Sequence, residues 1–136
     1  MPKPTHIGET ALYVADLARA IQFYTALFGC PILRRDDRFC ALRITDEQVL
    51  LLFLRGGSVQ PIQINGGVIP AHDGNGPLHV CFGIQFDELT QWQHRLEKLG
   101  IAIESHFRWP AGATSLYFRD PDHHMVELAT PGLWKS

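Results

Sequence analysis

Polar and apolar residues alternate along the first predicted strand, and the spacing of the apolar residues then becomes helical. Glu9, Ala11 and Tyr13 share one strand face, because successive side chains of a strand point to opposite sides. Asp16 is a suitable N-cap for a helix, and Gly29 stands where a helix commonly stops. The apolar stripe between them consists of Leu17, Ile21, Tyr24 and Phe28. This region therefore predicts a strand followed by an amphipathic helix.

The same pattern recurs about 70 residues later. His79, Cys81 and Gly83 share one face of a second strand, and a helix is predicted from an N-cap at Asp87 to a stop at Gly100. Further along, the segment CALRITDEQVLLLFL aligns with LYFRDPDHHMVELAT at an offset of 76 residues, so Leu51 corresponds to Glu127. Agreement at strand, helix and hairpin indicates an internal repeat.

The repeat predicts an α+β fold in one domain, 1–136, made of two βαβββ modules. The modules cover about 5–55 and about 78–130, and the strands after the two helices are predicted at 31–33 and 101–103. Residues 56–77 are rich in Gly and Pro and predict a connecting loop. The leucine-rich strand faces must cover the helices. The opposite faces then form a curved mixed sheet around a central cleft.

Three chemically active side chains are predicted on the cleft faces: Glu9, His79 and Glu127. Two carboxylates and an imidazole in one cleft are costly unless they are paired, and a divalent cation matches these ligand types. Three ligands would leave positions open for substrate, as in a catalytic metal site. The alternatives are an ordinary structural histidine and pairing of either glutamate with Arg43 or Arg119.

The remaining histidines are weaker candidates for chemistry. His123 and His124 follow the Asp120–Asp122 turn and are predicted to face solvent. His72 lies in the connecting loop and is a candidate for a mobile lid.

Charge, apolar runs and cysteine content limit the kinds of binding partner and compartment expected for this protein. Twelve basic against fourteen acidic residues give a net charge of −2, which argues against binding to nucleic acid or anionic membranes. No apolar run is long enough to span a membrane, and the N-terminus shows no signal peptide. Three scattered cysteines are typical of a reducing compartment, so a cytoplasmic protein is expected.

Three segments resemble the vicinal oxygen chelate superfamily, which includes glyoxalase I, bleomycin and fosfomycin resistance proteins and extradiol dioxygenases. They are E-x-x-x-Y-V-x-D-L-x-x-A-x-x-F-Y-x-x-x-F-G from Glu9, the strand that opens with His79, and YFRDPDHHMVELATPGLW from Tyr117. The resemblance covers roughly 5–134. It implies a cup of two βαβββ modules around a divalent metal that binds two adjacent substrate oxygens. Its ligand positions fall on Glu9, His79 and Glu127 as well.

Two departures from the family pattern refine this expectation. Leu51 occupies the fourth ligand position of glyoxalase I, which argues against lactoylglutathione lyase activity. Glu9 replaces the first of two histidines that extradiol dioxygenases use, which makes dioxygenase activity less favoured. A Glu-His-Glu set suits Mn²⁺, Zn²⁺, Ni²⁺ or Mg²⁺ at least as well as Fe²⁺.

The leading hypothesis is a metal-dependent lyase, isomerase or epimerase that acts on a small oxygen-rich substrate. Glu9 or Glu127 would act as general base, with Tyr117 as a further catalytic group. The candidate substrate contacts are Arg43, Arg119, Phe53 and Trp109, with Tyr13 and Phe107 as further pocket walls. Surface ion pairing, sheet packing and core packing are the competing interpretations of these residues.

Two other functions remain open on the sequence: a metal-free small-molecule binding module of the antibiotic-binding type, and an iron-dependent extradiol-type dioxygenase. A homodimer is expected because sheet edges would otherwise be exposed. The two modules could pair within one chain or with those of a second chain.

Overall fold

The computed structural model describes residues 1–134, which form two compact units: Met1–Gly76 and the part of the chain that begins at Pro77. The first unit contains β1 (Glu9–Val14), α1 (Leu17–Phe28), β2 (Ile32–Arg35), β3 (Phe39–Thr45), β4 (Gln48–Leu54), β5 (Ile62–Ile64) and β6 (Gly67–Ile69). The second contains β7 (His79–Gly83), a 3-10 turn (Phe86–Glu88), α2 (Leu89–Lys98), β8 (Ser105–Arg108), β9 (Thr114–Arg119) and β10 (Met125–Ala129).

Each unit has a mixed four-stranded sheet with the same topology. The orders are β1-β4-β3-β2 and β7-β10-β9-β8, with the first pair parallel and the others antiparallel. In the first sheet Ala11 lies opposite Leu51, and in the second Cys81 lies opposite Glu127. The correspondence of Leu51 with Glu127 is therefore confirmed, as is the α+β class with two βαβββ units.

The helix of the first unit forms as its sequence predicts. The Asp16 carboxylate accepts a hydrogen bond from the Arg19 backbone N–H at 3.0 Å, and Gly29 ends the helix in the left-handed region with φ of 63°. The helix packs on β3 and β4, and its buried stripe includes Ala20 and Tyr24. The leucine-rich sheet face beneath the helix is buried, and its buried side chains include Leu12, Val14, Leu42, Leu50 and Leu52.

Two boundaries predicted for the second unit are wrong. Asp87 is not the N-cap of α2, because residues 86–88 form a 3-10 turn and Glu88 takes the capping position. No strand forms at 101–103. The Ile101 N–H instead donates to the Leu96 carbonyl at 2.9 Å, so this segment still completes the helix end, and β8 starts at Ser105.

The connecting segment holds a hairpin that the sequence analysis did not anticipate. Strands β5 and β6 pair antiparallel around Asn65 and Gly66, whose φ angles are 50° and 78°. Two successive positive φ angles define the two-residue turn that Asn-Gly favours. None of the helices within residues 1–134 combines the length and apolar character needed to cross a membrane.

Candidate metal and substrate site

The two parallel strands β7 and β10 bring His79 and Glu127 together. Nε2 of His79 lies 3.2 Å from Oε1 of Glu127, and Nδ1 of His79 lies 3.0 Å from the Met125 carbonyl oxygen. The Glu127 residue is 4% exposed, whereas about half of the His79 side chain is open to solvent. A buried carboxylate therefore faces an accessible imidazole.

These contacts define the protonation of His79. A carbonyl oxygen only accepts hydrogen bonds, so Nδ1 carries a proton and donates it to Met125. In a neutral imidazole Nε2 then presents a lone pair to the carboxylate oxygen, and two lone pairs at 3.2 Å repel each other. A cation must lie between them, either a proton or a metal ion. A ring nitrogen fixed by a backbone carbonyl is also the usual arrangement of metal-binding histidines.

The second oxygen of Glu127 is held by a short chain of hydrogen bonds. The Ser115 hydroxyl donates to Glu127 Oε2 at 2.5 Å, and the Trp109 indole N–H donates to the Ser115 oxygen at 2.8 Å. Ser115 has no exposed surface. Sequence reasoning missed Ser115, although its alternation with Tyr117 and Arg119 along β9 places it on the same sheet face.

Two further side chains surround the carboxylate. Burial raises the pKa of the Cys81 thiol to about 12, and the adjacent Glu127 charge and hydrogen bond add to that rise. Burial also raises the pKa of the Tyr117 hydroxyl; a hydrogen bond with Ser115 opposes that rise, and Glu127 adds to it. Both groups are therefore neutral hydrogen-bond donors near neutral pH, which suits a site that already contains a carboxylate.

Glu9 lies on the exposed first position of β1, opposite Val49, in the place that His79 occupies in β7. Among residues 1–134, no three or more His, Cys, Asp or Glu side chains are grouped as a metal site. The structure thus brings together two of the three predicted ligands, and Glu9 belongs to the first unit.

The β1 face that carries Glu9 ends in an aromatic cluster. Tyr13 stacks on Phe53 with ring centroids 5.7 Å apart, and Phe53 meets the His72 ring edge-on at 4.5 Å. The Tyr13 hydroxyl and His72 Nδ1 are 2.8 Å apart. Phe39 extends the cluster by stacking on Phe53.

The base of the connecting segment is held together by hydrogen bonds between its own residues. The His72 N–H donates to the Ser58 carbonyl at 2.9 Å, and the Gly56 N–H donates to the Asp73 carboxylate at 3.0 Å. Backbone hydrogen bonds from Gly56 and Gly74 lower the pKa of Asp73. Since His72 has both a backbone and a side-chain partner, it anchors the segment to the first sheet.

Arg43 and Arg119 both have partners within their own units. The Arg119 guanidinium forms an exposed ion pair with Glu104 at 3.1 Å and also reaches the His123 carbonyl. That contact lowers the pKa of Glu104 and raises that of Arg119. Arg43 donates to the Asp46 carbonyl at 3.1 Å.

The prediction that His124 faces solvent is wrong. His124 is fully buried, and its Nδ1 accepts a hydrogen bond from the Leu78 N–H at 2.8 Å. The hairpin turn places it inside because the Asp120 carboxylate binds the His124 N–H, while His123, exposed and at φ of 65°, makes the turn. His124 therefore anchors the residue just before His79.

The family model described as "Glyoxalase/Bleomycin resistance protein/Dioxygenase superfamily" matches residues 6–128. The crystal structure of lactoylglutathione lyase from Agrobacterium tumefaciens superposes with a TM-score of 0.89 at 35% identity, covering 99% of this chain and all of that one.

Curated relatives carry three different activities in their names. A probable lactoylglutathione lyase of Vibrio cholerae is 30% identical over 90% of this chain and 88% of its own length. Metallothiol transferase FosB of Bacillus licheniformis is 28% identical over 91% and 74%. Catechol-2,3-dioxygenase of Bacillus subtilis is 30% identical over 91% of this chain but only 41% of its own length.

Proposed function

We propose that this chain, which belongs to the glyoxalase/bleomycin resistance protein/dioxygenase superfamily, is a divalent-metal-dependent enzyme of the lyase, isomerase or epimerase type. The observation that carries the proposal is the pairing of His79 Nε2 with Glu127 Oε1, with Nδ1 committed to the Met125 carbonyl. A proton on His79 Nε2 or a metal ion would satisfy the two facing atoms, and the proposal is that a metal ion does so.

The donor set of the second unit fits a metal ion. Metal bonds of about 2.0–2.2 Å to nitrogen and oxygen place two neighbouring ligand atoms roughly 3.0–3.4 Å apart. The 3.2 Å between His79 Nε2 and Glu127 Oε1 matches this spacing. Glu9 joins them as the third proposed ligand on the sequence repeat, because it stands in β1 where His79 stands in β7.

Oxygen and nitrogen ligands with two carboxylates favour Mn²⁺, Zn²⁺, Ni²⁺ or Mg²⁺, and Fe²⁺ also binds such sets. When bound, the metal would supply Lewis-acid stabilisation of charge on a substrate oxygen.

The protein's own groups have separable roles. Glu127 would bind through Oε1, because its Oε2 accepts a hydrogen bond from Ser115. Glu9 or Glu127, loosened from the metal, would serve as the general base. The Tyr117 hydroxyl, kept neutral by its raised pKa, would donate a hydrogen bond to substrate or to Glu127. Phe53 and Tyr13 would provide an apolar wall, while Arg43 and Arg119 would have to leave their present partners to contact substrate.

The names of the relatives suggest which substrate to assay first. A lactoyl thioester has its hydroxyl and carbonyl oxygens on adjacent carbons, which is the pair that chelation needs. Lactoylglutathione lyase activity is therefore the first to assay, even though Leu51 cannot be a ligand. A replacement Leu51→Glu tests whether that position limits the activity.

A homodimer is part of the proposal. β1 and β7 are the end strands of their sheets, so within residues 1–134 each has one edge without a strand partner in its own sheet. Such edges favour pairing with another chain. Light scattering coupled to gel filtration would give a mass near twice 15.3 kDa if the chain dimerises.

The test is a metal titration of protein first stripped with a chelator. Calorimetry with Mn²⁺, Ni²⁺ and Zn²⁺ should show one site per chain in the wild type, with binding lost in His79→Ala and Glu127→Ala. Glu104→Ala is the matched control, because Glu104 is an exposed glutamate directly before β8 and is engaged with Arg119. Equal binding by wild type and Glu127→Ala would contradict the proposal, and ligand-induced stabilisation that survives the chelator would indicate a metal-free binding protein.

A further inference from the structure

We infer that Trp109 is a positioning residue for Glu127 and acts entirely through Ser115. The inference deepens the proposed metal site and rests on it. It concerns the chain of atoms Trp109 Nε1, Ser115 Oγ and Glu127 Oε2, joined by hydrogen bonds of 2.8 Å and 2.5 Å.

The direction of both hydrogen bonds is determined by chemistry. An indole N–H can only donate, and an ionised carboxylate can only accept. Ser115 must therefore accept from Trp109 and direct its single proton to Glu127. Without the indole, the hydroxyl oxygen would keep only its hydrogen bond with Tyr117, and the rotation of the hydroxyl about its Cβ–Oγ bond would be less restrained.

The hydrogen bonds that link Trp109 to Glu127 are buried at the carboxylate end. Ser115 is 0% exposed and Glu127 4%, so replacement by bulk water is not available to Oε2. A carboxylate that loses the Ser115 donor is left with its hydrogen bonds to Cys81 and Tyr117, and it can turn towards them. Turning would move Oε1 away from His79.

The local backbone holds the indole in place. The Trp109 N–H donates to the Ala113 carbonyl at 2.8 Å, and the Gly112 N–H returns to the Trp109 carbonyl at 2.9 Å. Gly112 has φ of 101°, which few other residues adopt. The Phe107 ring packs edge-on against the indole with centroids 4.7 Å apart. The turn between β8 and β9 thus fixes the Trp109 indole N–H, which is the first donor in this series of hydrogen bonds.

The consequence is that Glu127 presents one oxygen rather than two. Ser115 occupies Oε2, and Oε1 remains directed at His79. Trp109, which the sequence predicted as a substrate contact, thus orients a proposed metal ligand through two successive hydrogen bonds. Mutation of a residue that hydrogen-bonds to a metal ligand typically weakens metal affinity by 10–100-fold.

The experiment is a double-mutant cycle read by metal affinity. Mn²⁺ dissociation constants are measured by calorimetry for wild type, Ser115→Ala, Trp109→Phe and the double variant, with thermal unfolding of each as a check on folding. Each single variant should weaken binding by about tenfold or more. The double variant should be no weaker than Ser115→Ala, since Trp109 has nothing left to act on.

A spectroscopic measurement separates positioning from packing. In ¹⁵N-labelled protein, the Trp109 indole N–H resonance should shift when Zn²⁺ binds and should stop responding in Ser115→Ala. The indole of Trp134, 92% exposed, serves as an internal reference.

Each outcome is distinct. If the wild type binds no metal, the proposed function fails, and this inference fails with it. If the wild type binds metal and Trp109→Phe binds it equally well, or if the two single effects add in the double variant, only the positioning role of Trp109 is overturned. Ser115→Thr, which retains the hydroxyl, should restore most of the affinity that Ser115→Ala loses.

Discussion

His79 Nε2 and Glu127 Oε1 lie 3.2 Å apart on adjacent parallel strands, while the other ring nitrogen of His79 is bound to the carbonyl of Met125. Met125 is also the residue directly opposite His79 in the sheet. The strand register thus sets both the position and the tautomer of the imidazole. Because the Met125 carbonyl holds the Nδ1 proton, the facing atoms Nε2 of His79 and Oε1 of Glu127 repel each other unless a proton or a metal ion lies between them.

Metal binding should stabilise the folded protein by mass action. At a free Mn²⁺ concentration 100 times the dissociation constant, the free energy of unfolding should rise by about 2.7 kcal/mol. Chemical denaturation with and without the ion measures this, and His79→Ala should show no such rise. An equal rise in His79→Ala would indicate that the ion binds elsewhere.

Gly74→Ala should destabilise the first unit. A Cβ atom at this position would overlap Cδ2 of the Tyr13 ring, so the ring or the connecting segment must move. We expect a loss of about 1–3 kcal/mol in urea unfolding. Gly8→Ala is the control, because its Cβ would meet nothing within 4 Å and its stability should stay close to that of the wild type.

His124→Ala should cost far more stability than a change at the neighbouring histidine. It removes a fully buried side chain and leaves the Leu78 N–H without its acceptor, for a loss of about 1–3 kcal/mol or more. His123→Asn, at an exposed position with φ of 65°, should change stability by no more than about 0.5 kcal/mol, since Asn tolerates this conformation. Similar losses at both positions would contradict the assignment.

Acid should weaken the hydrogen bonds that hold the base of the connecting segment together. The pKa of Asp73 is lowered by the backbone N–H groups of Gly56 and Gly74, so its carboxylate contributes stability above the ordinary value of 3.8. That contribution is lost as the pH falls through the lowered pKa. NMR titration should show the Gly56 amide resonance following the protonation of Asp73 below pH 3.8, and Asp73→Asn should remove this response.

Much of the fold could be predicted because the repeat appears in local patterns. The Asp16 cap, the Gly29 and Gly100 helix ends and the correspondence of Leu51 with Glu127 depend on neighbouring residues or simple alternation. The start of β8 could not be predicted in this way. Ile101–Ile103 has the composition of a strand, but its backbone is taken up in ending α2.

The candidate site was predictable in its residues but not in its connections. Alternation placed His79 and Glu127 on one face, yet the hydrogen bonds that orient them come from Ser115 and Met125, which have no distinctive sequence signal. His124 shows the same limit, because a turn next to Asp120 directs it inward rather than to solvent.

The central claim is most directly tested by a crystal structure grown with Mn²⁺ and measured with anomalous scattering. The account predicts an anomalous peak between His79 Nε2 and Glu127 Oε1, at about 2.0–2.2 Å from each atom. Glu9 is expected as a third ligand in the same map. A map at saturating Mn²⁺ with no peak at His79 and Glu127 would contradict the account.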